Sequence, residues 1–446
     1  MSRTNPQQSE RAVRALQGLL HDLPDVPLPV RRRGRPPVGP LLVAAAVTLV
    51  LLLLPLHVAE RDRSPAATGT HAVLPDPFPA YAHVPATVER LPAGPASMVF
   101  THGSGVEFLD HPQAIALGAD GTSYRRLDTA DDASVPSDQG DPGPILLSPD
   151  GRTVAVGGRG GEGDLFTVSL EDGSVRTWPL PEGRSSVPLG WSADSQSVFV
   201  GLVEGVYDRY AGLSSASQLA VDDVRRADLS AAEGTGPTPL PDVSSVTGVA
   251  PLPYGEGVLV AGTAGTELRS PDGMRVVAKD LDLGPDLGPA AVSPDGRSVV
   301  TGSRGELRVN TLADGTVTST YYLDLRATEG SNEVALTAEP LGWLGEDRIL
   351  VSAYQEAGST NRLHLWSVDA GTGSTTELLV AEPGWTGASI VEVSIAADLL
   401  DGAEVSDPGP IDRGRAGLAL RAALLLALVV LTVRAAMQLR SVRRDR

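Results

Sequence analysis

The chain has 446 residues, no cysteine and a formal net charge of −19. Disulfides, thiolate metal sites and Cys-x-x-Cys redox chemistry are therefore excluded. Residues 1–37 and 434–446 each carry a net charge of +4, so the acid is concentrated between them, and a central domain of that sign is not expected to bind nucleic acid.

Residues 1–37 read as a cytoplasmic tail with a helix over 9–23. Ser9 can cap it, Glu10 suits its first turn and Pro24 ends it. Ala12, Leu16, Leu19 and Leu23 fall on one stripe, broadened by Val13 and Leu20. In a tail with no domain of its own, such a stripe is expected to dock a protein partner. With Arg11 and Arg14 beside it, lying on the inner membrane surface is one alternative, and a disordered tail the other.

Residues 38–58 form an apolar run of 21 positions without a charge, and about 20 suffice to span a bilayer. Arg31, Arg32, Arg33 and Arg35 precede the run and Glu60 and Asp62 follow it. Basic flanks stay inside, so an uncleaved anchor with a cytoplasmic N-terminus is expected. A cleaved signal peptide would have a shorter leader. Residues 59–80, rich in Pro, Ala and Thr, read as a linker.

Residues 81–400 carry a repeat. Met98-Val99-Phe100, Val154-Ala155-Val156, Val198-Phe199-Val200, Val258-Leu259-Val260, Val299-Val300-Thr301 and Ile349-Leu350-Val351 recur at intervals of 41 to 60 residues. A period of this length with several strands per unit marks a β-propeller. Hairpins follow, turning at Asp120-Gly121, Asp172-Gly173, Asp314-Gly315 and Asp369-Ala370-Gly371, since Asp-Gly supplies the positive φ of a tight turn. Entry strands precede most units at Ile145–Leu147, Leu189–Trp191, Ala290–Val292 and Leu341–Trp343. The first unit lacks one, and Ser389–Ile395 is a strand with no unit after it. The C-terminal strand is therefore expected to complete the first blade, closing a ring of six. Seven blades remain open if Pro85–Leu91 supplies strands of its own.

Leu147-Ser148-Pro149-Asp150-Gly151-Arg152 and Val292-Ser293-Pro294-Asp295-Gly296-Arg297 resemble the blade signature of TolB-like, WD40-like propellers, and Leu365-Trp366-Ser367-Val368-Asp369 resembles a WD40 strand end. The resemblance spans about residues 97–400 and speaks for architecture rather than activity. With its flanking apolar runs, the chain is similar to membrane-anchored actinobacterial propeller proteins, which implies binding or sensing.

Other motifs read structurally. Gly158-Arg159-Gly160-Gly161-Glu162-Gly163 matches G-x-G-x-x-G, but a strand rather than a helix follows, so no helix dipole faces a pyrophosphate. Each Ser-Pro-Asp-Gly turn offers one carboxylate, better suited to capping its own backbone than to calcium, which takes six to eight oxygens. There is no G-x-S-x-G; His102-Gly103-Ser104-Gly105 lies in a hairpin loop, and the seven His show no zinc spacing. No catalytic, cofactor or metal residues are assigned.

Residues 401–415 read as a second linker and 416–433 as a second span, with Arg421 snorkelling outward. Arg434, Arg440, Arg443 and Arg444 in the tail 434–446 then lie inside. The expected protein is a two-pass cell-membrane protein with both termini cytoplasmic and a six-bladed (alternatively seven-bladed) all-β propeller outside, acting as a non-enzymatic binding module. Alternatives are a transmembrane signal transducer with an anti-sigma-like layout and a propeller enzyme acting on glycans or peptides. The long connections 207–222, 128–143 and 325–339 are candidates to shape the binding surface.

Overall fold

The computed structural model describes residues 71–414 apart from 81–84, 103–111, 135–140, 161–163, 206–220, 284–286, 304–305, 314–315, 325, 330–331, 336, 358–359 and 383–389, and beyond them only Leu426, Ala427, Val429, Val430 and Arg434. The tail helix, its stripe, the first span, Arg31, Arg32, Arg33, Arg35, Arg421, Arg440, Arg443 and Arg444 lie outside the described residues.

In chain order come β1 (Val73–Pro75) and β2 (Phe78–Pro79), then β3 (Ala96–His102), β4 (Gln113–Gly118) and β5 (Tyr124–Arg126), then a short helix α1 (Asp128–Asp132). Next are β6 (Ile145–Leu147), β7 (Thr153–Gly157), β8 (Asp164–Ser169) and β9 (Val175–Pro179), followed by β10 (Arg184–Trp191), β11 (Ser197–Glu204), β12 (Asp223–Asp228) and β13 (Thr238–Pro239). A fourth unit has β14 (Val246–Pro251), β15 (Val258–Gly262), β16 (Gly265–Arg269) and β17 (Val276–Leu281); a fifth has β18 (Ser298–Ser303), β19 (Glu306–Ala313) and β20 (Thr316–Asp324). A hairpin of β21 (Arg326–Glu329) and β22 (Asn332–Ala335) leads to β23 (Thr337–Trp343), β24 (Arg348–Ala357), β25 (Thr360–Asp369) and β26 (Thr375–Glu382). Last are β27 (Ile390–Ile395) and β28 (Glu404–Ser406).

These strands make six blades. Five are ordered β6-β7-β8-β9, β10-β11-β12-β13, β14-β15-β16-β17, β18-β19-β20 and β23-β24-β25-β26, and the first is β27-β3-β4-β5. The C-terminal strand thus closes the ring as the pattern predicts, with Ser394 opposite Val99 and Ile395 opposite Met98. In blade 5 the entry strand shrinks to one bridge, Val292 to Val299. Residues 85–91 form no seventh blade. Thr87 instead bridges Arg126 on the outer edge of β5.

The second strand of a blade is covered on both faces by neighbouring blades, which is why β3 is buried along its whole length and reads as an unbroken apolar run. Outer strands alternate, as in β9 with its exposed Val175 and Thr177 around Arg176. Six buried apolar clusters follow this plan, each joining two neighbouring blades. Trp191 and Trp343, at the ends of β10 and β23, each donate from Nε1 to an entry segment of the preceding blade, at Leu146 O (3.3 Å) and Ala291 O (2.9 Å).

The Ser-x-Asp turns are built by their own side chains. In each, the Ser Oγ donates to the Asp Oδ1 at 2.6 Å, and that oxygen accepts a backbone N–H two residues on, at 3.0 Å. This is the backbone-capping role read from the sequence. A fourth copy, Ser270-Pro271-Asp272-Gly273, has the same bonds but joins β16 to β17, a different corner of its blade. Gly151 has φ +72°, and a Cβ there would come within 2.4 Å of Ala96 O.

The flanks differ from the linkers expected. Val73–Pro75 pairs in parallel with Glu404–Ser406, and Phe78–Pro79 adds a fifth strand to the outer edge of β26. Residues 401–414 are tied to the body at both ends. Glu404 N donates to Ala72 O (3.0 Å), Tyr124 N to Asp412 O (3.1 Å) and Ala86 N to Arg413 O (2.9 Å). The Arg125 guanidinium meets the Asp412 carboxylate at 2.6 Å. These segments are short and Pro-rich, yet Leu74, Phe78 and Leu400 are buried in the seam between blades 6 and 1. Burial of those side chains, each worth about 1.5–3 kcal/mol, holds them where composition suggested free chain.

Candidate functional site

Strand direction sorts the connections onto two ends of the ring. At one end lie the connections from first to second and from third to fourth strands, the Ser-x-Asp and Asp-Gly turns among them. At the other lie the second-to-third connections and the crossings between blades. The flanks gather at the turn end: Asp398 N donates to Pro149 O (3.0 Å), Val73 N to Ala119 O (2.9 Å), and His71 Nδ1 bonds Asp401 O at 2.6 Å. From there residues 408–414 climb the rim of blade 1, and Gly414, packed on Ala86 and Leu91, is already helical.

All three long connections picked out from the sequence leave from the opposite, open end. The first begins with α1, whose Thr129 donates from N and Oγ1 to Glu89 Oε1 at 3.1 and 3.0 Å. The one from β20 to β23 carries the β21–β22 hairpin. The one from β11 to β12 lies mostly outside the described residues. Arg159 and the start of β10 share this end: Ser186 Oγ donates to Asp164 O (2.8 Å) and accepts from Gly158 N (2.9 Å). β7 and β8 pair antiparallel, so strand Asp164–Ser169 follows the Gly158-Arg159-Gly160 stretch where a nucleotide loop would lead into a helix.

Inner strands share a feature absent from the sequence reading. The pairing of first and second strands slips by one residue at Pro188/Gly190, Val246/Gly248, Pro340/Gly342 and Ile390/Glu392. After the bulge, three blades have glycine. At Gly190 and Gly248 a Cβ would lie 2.2 and 2.1 Å from Val249 O and Leu287 O of the next blade, so the backbones touch there only because no side chain intervenes. Blade 1 alone puts a long side chain, Glu392, at that position. Glu392 is half-buried. Removal from water pushes its carboxyl up to about 7, opposed by the Arg159 guanidinium and reinforced by the Glu339 carboxylate of blade 6.

Glu392 of blade 1 thus feels both the Arg159 guanidinium of blade 2 and the Glu339 carboxylate of blade 6. A carboxyl poised near neutrality and under the influence of a guanidinium can donate or accept hydrogen bonds to a polar ligand, and groups perturbed in this way mark candidate sites. Among the described residues no three His, Asp or Glu converge as for a metal. The one signal available in the sequence was a glutamate inside the apolar strand Ile390–Ile395.

Of the topology residues, Arg434 is described: it is helical and exposed, as are Val429 and Val430 before it. Among the described residues no helix is long and apolar enough to cross a membrane.

The chain matches no protein-family model and no curated protein. Among solved structures it is similar to the Cps50 (Swd1) β-propeller domain of Myceliophteria thermophila, with 12% identity over 64% of this chain and 89% of that one, at a TM-score of 0.38. It is also similar to the dihydro-heme d1 dehydrogenase NirN, with 14% identity over 73% and 80% of the two chains and a TM-score of 0.34. The six-bladed β-propeller rests on this chain's own strand pairing.

Proposed function

We propose that the chain is a membrane-anchored, extracytoplasmic propeller of the TolB-like type that acts as a non-enzymatic module for binding a protein or ligand. The observation that carries the proposal is the division of labour between the ends of the ring. Both flanks are gathered at the turn end and the rim of blade 1, while the long connections and the Glu339–Glu392–Arg159 group leave the open end for a partner. The apolar run 416–433 begins two residues after Gly414, so a bilayer entered there would lie against the rim of blade 1. The test is topology: an export-dependent reporter fused after Arg446 should be silent and one inserted at Ala67 active. Activity at the C-terminus would refute the second crossing.

A second reading, signal transduction, is favoured by the same join. β27 closes the ring and its chain continues through a hydrogen-bonded segment to Gly414, two residues before the apolar run 416–433, so if that run crosses the membrane, movement of blade 1 would reach it through a short join. In that reading the stripe Ala12, Leu16, Leu19 and Leu23 holds the cytoplasmic partner, and Leu16→Asp with Leu19→Asp should release it while membrane insertion persists.

A further inference from the structure

The outer edges of the blades are not protected alike. Blade 6 is covered by β2, and blade 1 by the bridges at Thr87 and Asp412. Blade 3 ends in a two-residue strand containing Pro239. The outer strand of blade 2 carries Arg176 and Pro179, and that of blade 4 carries Lys279 and Asp280 and pairs through two register slips. Charges, prolines, bulges and short length are the usual guards of a sheet edge. In blade 5, β20 has nine residues, Thr316–Asp324, with no charge before Asp324 and no proline. Among the described residues no strand pairs with its outer side. Past a slip at Thr318 its ladder with β19 is regular, Ser319 opposite Thr311 through Asp324 opposite Glu306.

We infer that this edge pairs with the same edge of a second copy of the chain, antiparallel about a two-fold axis through Tyr321. Antiparallel pairing of identical strands sets residues of one face opposite each other when their numbers sum to twice the central residue's. Centred on Tyr321, Ser319 meets Leu323, Thr320 meets Tyr322 and Tyr321 meets itself. No like charges are opposed, Asp324 falling opposite Thr318, and an aromatic pair sits at the centre, a favourable cross-strand combination. The contact is isologous and closes at two copies, so it gives a dimer rather than a fibre. The sequence favours a second copy over an unrelated peptide because the strand is complementary to itself in this register. It also has a precedent in the molecule, since this chain already extends one blade edge with an added strand at β26.

The absence of cysteine makes the test clean. Single-cysteine variants of the full-length chain, purified in detergent and mildly oxidised, are read as covalent dimer on a non-reducing gel. Paired residues across a two-fold lie within disulfide reach, whereas residues two positions away do not. Tyr321→Cys alone, and an equimolar mixture of Ser319→Cys with Leu323→Cys, should each give at least about tenfold more dimer than Thr177→Cys on the exposed outer strand of blade 2. Thr320→Cys mixed with Tyr322→Cys should do the same with Tyr321 left in place. Ser319→Cys alone should stay at the Thr177→Cys level. The inference is overturned if these variants, still reactive to a maleimide, give no more dimer than Thr177→Cys. Equal dimer from Ser319→Cys alone also overturns it.

Discussion

Two seams of the ring solve the same problem differently. Between blades 3 and 4 the contact is direct: Gly190 lets inner strands touch, and Val187, Phe199, Val249 and Val260 fill the space outside them. Between blades 6 and 1 the chain must also join its two ends, and there it recruits extra material. Leu74 and Phe78 arrive from the N-terminal flank and Leu400 from the C-terminal one. Phe78 meets Phe100 edge-on at 5.5 Å, and Phe100 meets Tyr124 at 6.4 Å. A seam inside continuous chain can rely on close backbone approach. A seam that depends on a strand from the far end needs aromatic area to offset the entropy of closing so long a loop.

The comparison breaks most completely if closure is removed. Ending the chain at Gly387 deletes β27 and the C-terminal flank, leaving the inner side of β3 unpaired. We expect no cooperative unfolding transition by near-ultraviolet circular dichroism, because buried backbone groups lose their partners. A sharp transition like that of the intact chain would show that seam 6–1 does not need its recruited strand.

Single substitutions then rank the seams. Phe78→Ala removes a buried ring from seam 6–1 and should cost about 3–5 kcal/mol in denaturant unfolding. Gly190→Ala forces a methyl against Val249 O at seam 3–4 and should cost about 1–3 kcal/mol. If Gly190→Ala proves the more damaging, the flanks are accessories rather than the seal.

The six units are legible in the sequence because each central strand is an apolar run and many of the turns carry Asp-Gly or Ser-x-Asp. Closure is legible because Ser389–Ile395 lacks a partner nearby. The clasp is not. Val73–Pro75 and Phe78–Pro79 are two or three residues long and contain proline, and their partners at Glu404–Ser406 and Ala381–Glu382 lie at the other end of the chain. No local period encodes such pairing. Ser270–Gly273 shows the converse limit, since the same turn chemistry serves a different corner and so does not by itself mark the start of a unit. Glu392 is visible as a residue, but its company is not, because Arg159 and Glu339 reach it only through the ring.

A smaller effect sharpens the contrast from inside blade 1. The Glu392 carboxyl is raised from 4.5 to about 7 in the folded ring. The folded state therefore holds this proton more tightly than the unfolded chain. Stability is full below about pH 4.5, falls as pH rises to about 7 and then levels off. Glu392→Gln should remove that fall, gaining on the order of 1 kcal/mol at pH 8 once screening of a half-buried group is allowed for, and nothing at pH 4. Asp131, within α1 and raised from 3.8 to about 7 by burial, leaves a residual slope in the same window. An unchanged pH profile in Glu392→Gln would mean that position is as inert as the glycines of blades 3, 4 and 6.

The most direct test of the account is whether the two flanks are clasped. Val73 and Glu404 are parallel-strand partners at accessible positions in a chain without cysteine. Val73→Cys with Glu404→Cys in the full-length protein should form an intramolecular disulfide on mild oxidation, seen as loss of both thiols to maleimide labelling without a covalent dimer on a non-reducing gel. Two freely labelled thiols after oxidation, in a protein that still unfolds cooperatively, would contradict the clasp and return residues 71–80 and 401–414 to the role of linkers.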